Sequence, residues 1–156
     1  MKITSSAFHD KNTIPTKYAY QGIVGGKNIS IPVSWSDVPA GTESFALSIV
    51  DPHPVAKNWV HWFVINIPNH IKGLPEGASM KLMPKQSKEL MSTYGTIGYG
   101  GPEPPKGSGA HPYVVTLYAL NTTTLELREN TTLPEFTKAL EGKTIATATI
   151  TGMFEQ

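Results

Sequence analysis

With 156 residues, 39% of them apolar and 16% charged, the chain is long enough to bury one core, and its formal net charge is +1 without any run of Lys or Arg; nucleic acid and anionic membrane surfaces are poor partners for such a chain. It has no cysteine, which excludes disulfides, thiolate catalysis and cysteine-based zinc. Nothing approaches the ~20 apolar residues of a membrane span, and Met1 to Asp10 show no apolar h-region, so a cytoplasmic protein is expected.

Fourteen glycines and thirteen prolines favour a loop-rich β protein. Ser5 to Asp10 reads as a short strand and a turn, and Gly22 to Gly26 as further turns. Gly25-Gly26-Lys27-Asn28 lacks the flanking residues of a phosphate loop and is not one. Ile29 to Trp35 alternates as a strand, with Pro32 making it an edge or bulged piece. Phe45 to Val50 is an apolar strand stopped at Asp51-Pro52-His53-Pro54. Trp59 to Asn66 is a second, apolar on both alternating sets, which predicts a place near the sheet centre with His61 on the face of Trp59, Phe63 and Ile65. Met80 to Met91 could hold a helical turn or two.

Gly95 to Ala110 is too rich in Gly and Pro for helix or strand, and it leads into the strand Tyr113 to Leu120. Thr122 to Leu127 could add a short strand. Thr132 followed three residues later by Glu135 is a capping box, Pro134 suits a first turn, and Gly142 ends the helix. Thr144 to Phe154 is β-rich. The expected fold is a mainly β, antiparallel β-sandwich with one or two short helices, a single domain over residues 1–156.

Asp51, His61, His111 and Tyr113 each lie beside a strand. If they converge, two imidazoles, a phenol and the amides of Gly100-Gly101 form a donor-rich set suited to a phosphate-like anion, and Asp51 orients an imidazole in its charged form. The plainer alternatives are a core histidine bonded to a backbone carbonyl for His61 and an ordinary loop residue for His111.

Asp51-Pro52, Trp59-Val60-His61-Trp62, the run Gly98-Tyr99-Gly100-Gly101-Pro102-Glu103-Pro104-Pro105-Lys106-Gly107 and His111-Pro112-Tyr113 together resemble the phosphatidylethanolamine-binding protein family, in its bacterial and archaeal, Raf-kinase-inhibitor-like branch. Ser5 to Phe8, Ile14-Pro15, Lys27 to Trp35 and Pro39 to Thr42 resemble its N-terminal landmarks, so the resemblance spans nearly the whole chain. It implies an antiparallel β-sandwich with a small cavity that takes phosphate, acetate, cacodylate or a phosphoryl head group. Matched by position, the implied pocket is Asp51, His61, Tyr99, Gly101, Pro104, His111 and Tyr113, with His53 at the rim.

This chain departs from the family pattern in two places. Asp51-Pro52-His53-Pro54 replaces the usual Asp-Pro-Asp-x-Pro, putting an imidazole where a carboxylate is usual; the resemblance also implies a cis bond before Pro54. Ser30-Ile31-Pro32 stands for the usual Ser-Pro-Pro. The long C-terminal helix of eukaryotic members has no counterpart after Gln156.

The resulting expectation is a non-enzymatic binder of a small phosphate- or carboxylate-bearing ligand, without cofactor or metal. The alternatives are an inhibitor of a serine protease or kinase acting through the 102–105 loop, a hydrolase using Ser108 with Asp51 and His61 or His111, and a zinc or copper site from Asp51, His53, His61 and His111. A homodimer is a further possibility implied by the family.

Overall fold

The computed structural model describes residues 1–156. Its elements are β1 (Lys2–Thr4), β2 (Val33–Ser36), β3 (Ser44–Asp51), β4 (Trp59–Pro68), β5 (Gly73–Leu74), β6 (Lys88–Glu89), β7 (His111–Leu120), α1 (Leu133–Leu140) and β8 (Thr144–Phe154). A three-stranded sheet runs β1-β2-β5 and a five-stranded sheet runs β6-β4-β3-β7-β8. All pairings within both are antiparallel. The fold is mainly β, as the strand pattern predicts.

The two sheets close over the larger core. Ile3, Val33, Trp35 and Leu74 of the small sheet meet Phe45, Leu47, Trp62, Val64, Val115, Leu117 and Ile150 of the large one. On the opposite face of the large sheet, Ala46, Phe63, Ile65 and Leu120 receive Phe136 and Leu140 of α1. Both faces of β3 are therefore covered, which is why its sequence reads apolar at nearly every position. Helix α1 forms where the capping box lies: Thr132 accepts from the Glu135 amide and the Glu135 carboxylate accepts from the Thr132 amide. Phe136 then stacks on Phe63, ring centroids 4.3 Å apart, and Gly142 takes the left-handed conformation just beyond the helix, φ 71°.

Several expectations are corrected. The first strand is Lys2–Thr4, ahead of Ser5 to Asp10. Pro32 precedes β2, which is the middle strand of the small sheet. Met80 to Met91 contains turns and β6 but no helix, and Thr122 to Leu127 pairs with no strand. Strand β4 does lie near the sheet centre as expected, directly beside the central β3 and with the two-residue β6 on its other side. Finally, β4 is bulged. Ile49 pairs with Trp62 and Val50 with Val60, leaving His61 as the extra residue. The bulge breaks the alternation of faces, so His61 does not share the face of Phe63 and Ile65, which belong to the α1 side.

Candidate functional site

The antiparallel order places the end of β3 and the starts of β4 and β7 at one end of the large sheet. That brings Asp51, Trp59, His61, His111 and Tyr113 around one cavity of about 320 Å³. Val55, Ala56, Tyr94, Glu103, Pro104 and Pro105 complete its wall. Of the residues expected from sequence, Asp51, His61, Pro104, His111 and Tyr113 meet here; Tyr99, Gly101 and His53 do not line it.

Asp51 is the hub, and it is 2% exposed. Its Oδ1 accepts from the His53 amide at 2.8 Å and its Oδ2 accepts from His111 Nδ1 at 2.6 Å. Asp51 thus orients His111, the imidazole on the neighbouring strand. His111 Nε2 lies 2.8 Å from Ser108 Oγ, which also donates to the Pro105 carbonyl at 2.6 Å. Ser108 has one hydroxyl proton, so it can donate to only one of these two partners at a time. His53 covers the free face of His111, with ring centroids 3.7 Å apart and planes 14° from parallel. It is a cover for that imidazole and not a rim group. The corner is tight: the Ala56 and Lys57 amides both donate to the His53 carbonyl. All peptide bonds are trans, so the cis bond implied before Pro54 is absent.

His61 is held differently. Its Nδ1 donates to the Gly100 carbonyl at 2.7 Å, while the Gly100 amide donates back to the His61 carbonyl at 2.8 Å. The carbonyl can only accept, so Nδ1 carries the proton and Nε2 is a lone-pair acceptor. Burial pushes the His61 pKa down to about 4, against the smaller raising effects of the Gly100 bond and the Asp51 charge. His61 is therefore neutral near pH 7 and offers the cavity an acceptor. The sequence expectation of two imidazole donors fails at this residue.

The expected amide nest is occupied too. Gly100 donates to His61, and the Gly101 amide donates to Asn28 Oδ1 at 2.7 Å. These glycines serve close approach. A Cβ on Gly101 would collide with the Tyr18 carbonyl, and one on Gly100 with the Tyr94 ring. Tyr99 points into the core, its hydroxyl donating to the Tyr18 carbonyl at 2.8 Å and its ring edge-on to Trp62.

Tyr94 fills the place expected of Tyr99. It stacks on Tyr20 with ring centroids 4.1 Å apart, meets Trp59 and His61 edge-on, and donates to the Gly101 carbonyl at 2.7 Å. Burial raises its pKa, with the Glu103 charge adding to the shift. The only sequence signal for Tyr94 was its place just ahead of Gly95. Tyr113 is also raised, by burial and then by Asp51, and its hydroxyl makes no hydrogen bond within the protein. Glu103 is exposed and lies over Gly22 at the cavity mouth, while Pro104 is buried and its carbonyl accepts from Gln156.

The Asp51, His53, His61 and His111 side chains do not form a metal cluster; no group of three or more His, Asp or Glu side chains is arranged to hold an ion. The geometric reason is that His61 turns to Gly100 while His111 turns to Asp51 and Ser108. No helix is long and apolar enough to cross a membrane.

The phosphatidylethanolamine-binding protein family model matches residues 4–155. A UPF0098 protein of Methanothermobacter thermautotrophicus is 36% identical over 157 residues, covering 100% of this chain and 99% of that one. The UPF0098 protein YbhB of Escherichia coli is 34% identical over 158 residues, with 99% of each chain covered. Among solved structures, E. coli YbcL, described as a member of the mammalian PEBP family, superposes with a TM-score of 0.93 at 32% identity, over 99% of this chain and 98% of that one. CT736 of Chlamydia trachomatis gives 0.84 at 34% identity, over 99% and 97%. With the family model matched from end to end and the Asp51–His111 corner built around its motifs, the chain belongs to the phosphatidylethanolamine-binding protein family.

Proposed function

We propose that the cavity binds the acidic group of a small phosphate- or carboxylate-bearing ligand and does no chemistry on it. The observation that carries this reading is the pair of uncommitted polar atoms in the wall, the Tyr113 hydroxyl and His61 Nε2, beside the buried Asp51–His111 pair. A ligand oxygen accepts from Tyr113. A second oxygen meets His61, either bearing its own proton or drawing one onto Nε2. Binding of a fully ionised group is therefore coupled to proton uptake.

Glu103 places a negative charge at the mouth. It disfavours a bare dianion and favours an acidic group with a neighbouring ammonium. A phosphoethanolamine head group, the moiety in the family's name, has that arrangement. Titration calorimetry with inorganic phosphate and with phosphoethanolamine tests the reading. Both should bind, the zwitterion more tightly, and Tyr113→Phe should weaken both. Glu103→Gln should erase the preference. Absence of heat for either ligand at millimolar concentration sinks the idea.

One observation favours a hydrolytic reading: Asp51, His111 and Ser108 form a continuous hydrogen-bonded chain. Against it, Ser108 is also bonded to Pro105 and does not line the cavity. Fluorophosphonate labelling of Ser108, lost in His111→Ala, would establish it.

A further inference from the structure

One stretch of the cavity wall, Glu103-Pro104-Pro105, has few fastenings of its own. Its two prolines carry no amide proton, and the Glu103 and Lys106 amides meet no acceptor in the protein. Ahead of the stretch, the Tyr20 amide donates to the Pro102 carbonyl at 2.9 Å. Behind it, Ser108 closes a local turn onto the Pro105 carbonyl. Apart from that turn, residues 103–107 make two hydrogen bonds, and both go to Gln156. Gln156 Nε2 donates to the Pro104 carbonyl at 2.7 Å, and the Gly107 amide donates to the Gln156 backbone oxygen at 3.4 Å.

The strand pairing that places His111 also delivers Gln156. His111 pairs with Phe154 across β7 and β8, and Phe154 is buried in the larger core. Gln156 follows it by two residues. The orientation of the Gln156 amide is fixed by its partner, because a carbonyl only accepts and the nitrogen must face it. Gln156 is exposed and does not line the cavity, whereas Pro104 is buried and does. The contact therefore grips the wall from outside. From the wall, hydrogen bonds continue through Pro105 and Ser108 to His111 and Asp51.

We propose that Gln156 is a positioning residue for the cavity: its hold on Pro104 and Gly107 sets where the 103–105 wall lies, and with it the place of the Glu103 charge at the mouth. Packing of the Pro104 ring supplies contact area, and the Gln156 bonds supply direction. A wall without them opens locally, because no other hydrogen bond ties residues 103–107 to the rest of the protein. Ligand then meets a complete cavity in only a fraction of the molecules, and apparent affinity falls by that fraction. The effect on affinity rests on the acidic-group reading of the cavity; the fastening of the wall does not.

Three variants test this. Gln156→Met keeps an unbranched, neutral side chain without a donor, Gln156→Lys keeps a donor, and Glu155→Gln is a control at the exposed neighbour, which makes no hydrogen bond. Backbone ¹⁵N relaxation of Glu103, Lys106, Gly107 and Ser108 in the free proteins is compared with the thermal midpoint and with titrations of inorganic phosphate. Gln156→Met should loosen these amides and weaken phosphate by up to roughly fivefold, the loss of one net hydrogen bond, while the midpoint stays put. Gln156→Lys should restore the amides, and Glu155→Gln should match the unsubstituted protein. Amides as rigid in Gln156→Met as in the unsubstituted protein overturn the proposal. So do equal loosening in Glu155→Gln, phosphate affinity unchanged beside loosened amides, and a midpoint that falls in step with affinity. Absence of phosphate binding to the unsubstituted protein refutes the acidic-group reading instead, and the loop amides alone then decide whether Gln156 fastens the wall.

Discussion

His61 and Gly100 exchange two hydrogen bonds, ring Nδ1 to carbonyl at 2.7 Å and amide to the His61 carbonyl at 2.8 Å. The β-bulge at His61 makes this exchange possible, because the extra residue has no partner on β3 and bonds the loop instead. One contact therefore ties the Gly/Pro loop to the sheet, fixes the His61 tautomer and leaves Nε2 free.

That arrangement predicts a pH dependence of stability. In the unfolded chain His61 takes up a proton near its ordinary 6.5, whereas in the native protein burial delays this to about 4. The unfolded state thus binds more protons in that window. The stabilisation is complete above about pH 6.5 and is lost as pH falls towards 4, amounting to at most about 3 kcal/mol. Urea denaturation across this range should show the loss, and His61→Asn, which keeps a donor for Gly100, should remove this part of the slope.

The Asp51–His111 pair is buried on both sides, with side chains 3% and 1% exposed. Asp51→Ala strands the His111 and His53 donors and should cost about 3–5 kcal/mol. The denaturation midpoint measures it; an unchanged midpoint would mean that water already shares these bonds.

Two glycines of the loop should respond differently to substitution. Gly101→Ala drives a Cβ into the Tyr18 backbone, a clash that side-chain movement cannot relieve, and should cost about 2 kcal/mol or more. Gly107 has φ 78° and open space around it, so Gly107→Ala should cost only about 1 kcal/mol of backbone strain. Similar losses at both sites would contradict the packing described for Gly101.

Thr132→Ala removes the N-cap of α1, on the far side of the sheet from the larger core. The expected loss is about 1 kcal/mol. Thermal denaturation should record it, with phosphate affinity unchanged because α1 contributes nothing to the cavity around Asp51.

Strands β3, β4 and β7 were legible because each is an apolar run between Gly, Pro or Asp punctuation, and α1 because its capping box is a local device. Asp51, His61, His111 and Tyr113 were legible as a set because each stands at a strand end or start. The His61 acceptor role was not: it depends on a register shift against β3, a long-range pairing that leaves no pattern in β4 itself. Tyr94 was missed for a related reason. Its ring reaches the cavity by stacking on Tyr20, 74 residues away in sequence by the difference of their numbers, and through the space left by Gly100. The Gly100 and Gly101 amides looked free because their partners, His61 and Asn28, lie on other segments.

The most direct test is ¹⁵N NMR of the His61 ring nitrogens during titration with sulfate at about pH 5.5, above the His61 value of about 4 and where the charge of sulfate is constant. His61 Nε2 should become protonated as sulfate binds, and Tyr113→Phe should weaken the response. A His61 Nε2 that stays unprotonated, with no shift at Tyr113 or Trp59 up to saturating millimolar sulfate, would contradict the acidic-group reading.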